Sequence, residues 1–411
     1  MKYTPQDTLY LWSLVRPAQP TLIGDLNLVR SNQSVSLRYA DSWLKRGFAL
    51  SEDLPLIDQE FIPVDKATAA GAVDDARPDR WGEQVIRVID KPPRLSLLEF
   101  LYFAGDDRFG ALGVSTGNTE YVPRRQGPLP TLGDADRIQE LVRKILANEP
   151  VPEMQKRLIS PGVSFGGAKP KALIDIDGEQ WVVKFSAGEP ADVPLIEHAA
   201  MSLASKAKIR VAETKAIRLT DGHAVAIKRF DRRFDRKDVT RVHCLSAHVA
   251  LRAAAERYGY PELAQLLRRR GVMTKDLYLA DMRELFRRMV FNILIDNTDD
   301  HEKNHALTMT DSQHYALAPA FDVLPSGQAL GFQQMRVGNA EADSTIDNAL
   351  SMAQFFGLDK KQAINEVRTV ARVVNGWKEH FKTQGVTRRD IDSYATQIDR
   401  AFLLEQRREY L

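Results

Sequence analysis

Residues Asn297 to Leu307 read NTDDHEKNHAL, and two incompatible sites are written into them. His301-Glu302-x-x-His305 spells a zinc-protease pattern, whereas Asp299 followed by four residues and then Asn304 spells the catalytic loop of a phosphoryl-transfer enzyme. An HExxH site needs a helix, because only there do residues i and i+4 present both imidazoles to one metal. The flanks argue against a helix. Asn297, Thr298, Asp299 and Asp300 compete with the backbone for hydrogen bonds on one side, and Leu307, Thr308, Met309 and Thr310 look like a strand on the other. A third zinc ligand is also missing, since Thr308 and Asp311 stand where an extended metalloprotease motif wants Gly and His, and no Glu follows until Glu341.

Phosphoryl transfer needs a carboxylate near the attacking hydroxyl, oxygen ligands for Mg²⁺ and a lysine for the nucleotide phosphates. The chain supplies these in order. The apolar helix LFRRMVFNILI delivers a polar loop in which Asp299 can orient or deprotonate a hydroxyl and Asn304 can bind metal. A strand pair then leads to APAFDVLPS, whose Asp322 is placed as a second metal ligand. Upstream, Lys184 ends the strand WVVKF, preceded by SPGVSFGGAKPKA, in which Gly166 and Gly167 allow backbone N–H groups close to phosphate and Lys169 and Lys171 add charge. Each member has a plainer reading: Asp299 and Asp300 as loop caps, Asp322 as a turn residue, Lys184 as an exposed strand end, Ser164 as a turn residue; Glu197, on the helix after the lysine strand, reads equally as a partner of Lys184 and as part of a solvated helix face. Their order along the chain favours the set over its members.

Working outward, 411 residues with 44% hydrophobic and 27% charged content imply a globular chain of two or three domains. The net charge of +2 names no partner. The basic runs Arg229–Lys237 and Arg268–Arg270 read as solvated surface rather than as a nucleic-acid footprint. The lone Cys244 excludes an internal disulfide and reads as a buried small hydrophobe. His243 and His248, at i and i+5, are a poor metal pair and read as packing. With no signal-peptide pattern and no run of about 20 apolar residues, the expected location is the cytoplasm, away from membranes.

The segments TLIGDLNLVR and SVSLRYADSWL, separated by Ser31-Asn32-Gln33, predict a hairpin. DARPDRWGEQVIRVID predicts a helix starting near Pro78 or Asp79, and SLLEFLYFAG a second ending at Gly105. Val122–Gly133 is the linker candidate. KALIDIDGEQWVVKF predicts a hairpin turning at Asp177-Gly178, DVPLIEHAAMSLASKA a helix capped by Asp192, and HAVAIKRFDRRF a strand running into a basic loop. Two short strands flank Asp311-Ser312, and the chain is helical after Ser351. The expected domains are a β-rich N-terminal subdomain over 1–130, a nucleotide-binding part over 131–240 and a mainly helical catalytic lobe over 241–411.

Taken together, GVSFGGAKPKA, WVVKF, AIKRFDR, NTDDHEKNHAL and APAFDVLP resemble the HipA family of bacterial toxin kinases. DARPDRWG and GDDRFGALGV carry the likeness, less specifically, into the N-terminal part. The resemblance implies an α+β, bilobal protein-kinase-like fold with a β-containing N-terminal subdomain and a mainly helical C-terminal lobe. It implies ATP and Mg²⁺ as cofactors and phosphorylation of a protein substrate on Ser or Thr. Residue by residue, it makes Asp299 the catalytic base, Asn304 and Asp322 the metal ligands, Lys184 a phosphate contact and the backbone near Lys228 and Phe230 an adenine hinge. Ser164 matches a serine whose autophosphorylation expels the nucleotide loop. The partner implied is a small DNA-binding antitoxin, with DNA reached only through it. The rival class is a catalytically idle, kinase-shaped partner of such an antitoxin.

Overall fold

The computed structural model describes residues 3–124, 127–162, 167–235, 238–326 and 328–411. The chain packs into two compact units that are each discontinuous in sequence: Met1–Ala187 with Lys228–Leu245, and Gly188–Ile227 with Ser246–Leu411.

The first unit opens on a five-stranded antiparallel sheet in the spatial order Glu60–Phe61, Ser34–Tyr39, Thr21–Val29, Thr8–Ser13, Leu112–Ser115. Period-2 alternation puts Leu9, Leu26 and Leu37 in register across three strands, all fully buried. The predicted hairpin is present, with Val29 opposite Ser34 and Gln33 in the left-handed region at φ 57°. The helix Arg80–Val85 starts where Asp79 accepts from the Gly82 amide at 2.9 Å, and it runs into one wider turn over Ile86–Asp90. Trp81, Val85, Ile86 and Ile89 form its buried stripe. The second predicted helix, Leu97–Phe103, is held by a capping box of Ser96 and Glu99. After the helix Ala135–Leu146, the hairpin Lys171–Ile176 and Glu179–Lys184 turns at Asp177 and Gly178, both with positive φ (56° and 81°), as a two-residue hairpin turn requires.

The basic loop expected after Lys228 is instead a second small hairpin, Arg232–Asp235 against Asp238–Arg241, and its first half is not solvated. Arg229, Asp231 and Arg232 are buried, because the carboxylate of Asp231 compensates both guanidinium groups.

In the second unit the helix Val193–Lys206 is capped by Asp192, as its sequence predicts, and the strands Thr214–Arg218 and His223–Lys228 pair antiparallel. The 18-residue helix Leu277–Leu294 is the unit's central element: Met282, Leu285, Phe286, Met289, Val290, Ile293 and Leu294 are all fully buried. It ends in the polar loop at Asn297. A short hairpin, Ala306–Met309 with Tyr315–Leu317, follows, and helices over Ile346–Ser351, Lys360–Asn375, Trp377–Thr383, Arg388–Ile398 and Ala401–Glu409 complete the unit. No helix among the described residues is long and apolar enough to cross a membrane.

Candidate functional site

In the first unit, strand pairing sets Lys171 directly opposite Lys184, so the two side chains share one face of the hairpin. Both are essentially inaccessible, at 0% and 1% exposure, which overturns the exposed-strand-end alternative for Lys184. A buried ammonium requires partners. Lys171 Nζ has the carboxylate of Asp79 and the Gly167 carbonyl, the latter at 2.9 Å. Asp79 thus acts twice, capping the helix of DARPDRWG with one oxygen and pairing with Lys171 through the other. The same motif supports the chain entering the glycine-rich loop. Gly82 lies so close to the Pro161 carbonyl that a Cβ there would stand 2.0 Å from its oxygen, and Gly162 is in the same position against Ala104, at 2.1 Å. Gly167 is exposed with φ 60°. Ser164 and Gly166 lie outside the described residues.

Lys228 forms an ion pair with Glu179 at 2.6 Å, and the Phe230 ring packs edge-on against Phe109 with centroids 6.3 Å apart. Beyond them AIKRFDR and GDDRFGALG interlock. Arg229 donates to the carbonyls of Asp107 and Arg108 at 2.7 and 2.9 Å, Arg232 to those of Gly110 and Arg108 at 2.8 and 2.9 Å, and the Gly110 amide donates to Asp231 at 2.8 Å. Burial works against charge on Asp231, but Arg229 and Arg232 outweigh it and bring its carboxyl down to about 2. The charges of this motif are therefore structural. His243 is likewise packing: it is buried edge-on to Phe48, its Nε2 lies 2.8 Å from the Leu50 carbonyl, and burial pushes its imidazole down to about 4. Cys244 is buried as expected, its thiol pushed up by desolvation.

In the second unit the loop after Ile295 begins with Asp296 in the left-handed region at φ 58°, paired with Arg400 at 3.0 Å. The Asp296 carbonyl accepts from the amide and hydroxyl of Ser326 at 2.9 and 3.0 Å, and Thr298 meets the same hydroxyl at 2.6 Å. These bonds tie the NTDDHEKNHAL loop to the DVLPS segment that carries Asp322. Asp299 is exposed while its neighbour Asp300 is buried. Asp300 accepts from Tyr260 Oη and from His305 Nε2, the latter at 2.7 Å. Asn304 is 7% exposed, and its Oδ1 is fully buried with no hydrogen-bond partner among the described residues. Asn304 and Asp322 line one small cavity of about 10 Å³ with Arg288, Asn292, Asp300 and His305, a space of the size one water or small ion occupies. Glu197, read either as a partner of Lys184 or as part of a solvated face, is fully buried, which excludes the solvated face.

The HExxH look-alike does not form a helix face. His301 is extended, Glu302–Asn304 is a single tight turn, and His305 is extended again at φ −111°, ψ 136°, with its ring engaged by Asp300. Among the described residues no three His, Cys, Asp or Glu side chains assemble a metal site. Mg²⁺ asks less of the protein: one or two oxygen donors, with phosphates and water supplying the rest. The unpartnered Asn304 Oδ1 and the Asp322 carboxylate on one cavity fit that donor set. Sequence reading missed Asp300, Tyr260, Asn292 and Ser326. No motif marks them, because the bonds Tyr260–Asp300, Asn292–Tyr260 and Thr298–Ser326 span 28 to 40 positions.

These features define a mixed helix-and-sheet protein whose second unit holds a polar loop with oxygen donors gathered at a small cavity. Comparison with known proteins then places it. Residues 163–377 match the family model of the HipA-like C-terminal domain and residues 18–115 that of the HipA N-terminal domain. The chain belongs to the HipA family. Its fold is similar to that of the Shewanella oneidensis MR-1 toxin–antitoxin system HipA, solved with HipB and operator DNA: TM-score 0.67 and 18% identity, covering 98% of this chain and 97% of that one. A protein of Sinorhizobium fredii (strain NBRC 101917 / NGR234), "Putative kinase Y4dM", is 29% identical over 241 residues, 53% of this chain and 56% of its own length. The chain thus spans about half the length of the curated relative it matches.

Proposed function

We propose that the protein is an ATP-dependent serine/threonine kinase of the HipA toxin type. The observation that carries the reading is the division of labour along one loop: Asp299 is exposed, where an incoming hydroxyl can meet it, while Asn304, whose Oδ1 is buried without a partner among the described residues, lines a cavity with Asp322. In the reaction, a substrate Ser or Thr oxygen bonds to the γ-phosphorus, the β–γ bridging P–O bond breaks, ADP leaves, and Asp299 takes the hydroxyl proton. Asn304 and Asp322 are the proposed holders of Mg²⁺, which when bound neutralises charge on the phosphates. Lys184 is the proposed phosphate contact. The side chains of Lys228 and Phe230 have partners of their own, which suits adenine recognition by their backbone. Lys171, with Asp79 and the Gly167 carbonyl, holds the end of the nucleotide loop rather than adding a free charge to it.

Ser164 is the proposed autophosphorylation site, where adding about −1.5 to −2 of charge reorders the loop. The proposed partners are a protein substrate and a small DNA-binding antitoxin that carries the kinase to DNA, as HipB accompanies HipA in the Shewanella complex.

The test is intact-mass spectrometry with peptide mapping after incubating wild type, Asp299→Ala and Ser164→Ala with Mg-ATP. The expected result is a phosphoryl group at Ser164 in wild type only. Modification elsewhere keeps the kinase and removes Ser164. Absence of both modification and Mg-ATP thermal stabilisation in a protein unphosphorylated as purified favours a catalytically idle antitoxin partner.

A further inference from the structure

The loop carries one buried carboxylate for which the reaction just described has no use. Asp300 is 2% exposed, and the same oxygen, Oδ2, accepts from both the Tyr260 hydroxyl and His305 Nε2. Tyr260 and His305 are themselves buried, at 0% and 3%, and their rings meet edge to face with centroids 5.5 Å apart. The tyrosine hydroxyl also accepts from Asn292 Nδ2 at 3.3 Å, and Asn292 Oδ1 accepts from Asn297 Nδ2 at 3.1 Å. A chain of hydrogen bonds therefore runs Asn297, Asn292, Tyr260, Asp300, His305. It leaves the loop at Asn297, passes through two helices, re-enters at Asp300 and ends at His305.

Asp299 and Asn304 lie inside that bracket, each one residue from a clamped position. We infer that Asp300, held by Tyr260 and His305, is a positioning residue that fixes the separation of the proton-accepting and metal-facing groups of the loop. The inference rests on the kinase reading above. Backbone bonds alone leave the loop's middle under-determined: Asn304 N to the His301 carbonyl at 2.9 Å closes one tight turn, and nothing in it relates that turn to Asp299. The Asp300 carboxylate supplies that relation, because it is joined through one peptide bond to Asp299 and through His305 to Asn304. The other ring nitrogen, His305 Nδ1, is buried without a partner among the described residues, as is the neighbouring Asn304 Oδ1.

The discriminating variant is Tyr260→Phe, which removes one hydroxyl and keeps the ring against His305. ADP release with Mg-ATP should show kcat lowered about tenfold, the equivalent of one hydrogen bond to a charged group, with KM for ATP unmoved. Asp300→Asn, which keeps an acceptor oxygen, should lose less than Asp300→Ala. In the same proteins, hydrogen exchange read by mass spectrometry should quicken over residues 296–305 of Tyr260→Phe and stay at wild-type rates in the helix Lys360–Asn375. A Tyr260→Phe protein with wild-type kcat and wild-type loop exchange overturns the inference. If wild type itself releases no ADP, the kinase reading fails separately and loop exchange alone decides: unchanged protection in Tyr260→Phe removes the positioning role, and lost protection keeps it.

Discussion

Two charged motifs that look alike in the sequence end in opposite conditions in the fold. In AIKRFDR the buried groups are matched: Asp231 faces two guanidinium groups and a backbone amide, and Arg229 and Arg232 reach main-chain carbonyls beside that carboxylate. In NTDDHEKNHAL, Asp300 is matched, but Asn304 Oδ1, His301 Nδ1 and His305 Nδ1 are buried without partners among the described residues. Buried polar atoms are nearly always satisfied, so a cluster of exceptions marks where a ligand belongs, whereas a closed network marks structure. Polarity and spacing alone do not separate the two cases. Completeness of pairing does.

The sharpest way to break this contrast is to remove one group from each motif. Asp231→Ala strands two buried arginines and should cost about 3–5 kcal/mol of stability, read as a lowered urea midpoint of the whole protein. Asn304→Ala deletes an unsatisfied group, so its midpoint should stay within about 1 kcal/mol of wild type while Mg-ATP turnover falls at least about 100-fold. If Asn304→Ala unfolds the protein and Asp231→Ala does not, the assignment of roles is inverted.

A smaller effect is set by pH. His243 is neutral in the folded protein down to about 4, against an ordinary value of 6.5. Between those values the unfolded chain binds the proton and the folded chain does not, so stability falls as pH drops from 6.5 toward 4. The loss approaches about 3 kcal/mol at the lower end, at 1.36 kcal/mol per unit. The depressed His198 and His380 act in the same direction. His243→Gln should flatten part of this slope in thermal melts taken across the range. The smallest expected effect is at Glu302, where burial favours the neutral acid but the His248 hydrogen bond at 2.8 Å prevails and holds the carboxyl below its usual range. This pair is partly exposed, so Glu302→Gln should shift stability by less than about 1 kcal/mol and leave ATP turnover intact; a large loss of turnover would move Glu302 into the site.

What could be read from the sequence was whatever is encoded locally. Asp79 and Asp192 as helix starts, the Asp177-Gly178 turn and the hairpin of TLIGDLNLVR with SVSLRYADSWL follow from capping, turn chemistry and period-2 patterning, and all are present. The family likeness was legible from motifs. The fate of charges was not. Arg229 looked solvated because its partners, the carbonyls of Asp107 and Arg108, lie 122 and 121 positions away. Asp300 looked like a cap because Tyr260 lies 40 positions away and carries no motif of its own.

The discontinuity of the first unit has a consequence for synthesis on the ribosome. When residues 1–187 have emerged, the GDDRFGALG turn exists but its complement does not, since Lys228–Leu245 returns to that unit only after 40 residues of the second have been made. Until then the carbonyls of Asp107, Arg108 and Gly110 lack the arginines that cover them in the finished protein. The nascent chain thus cannot finish its first unit before it has started its second.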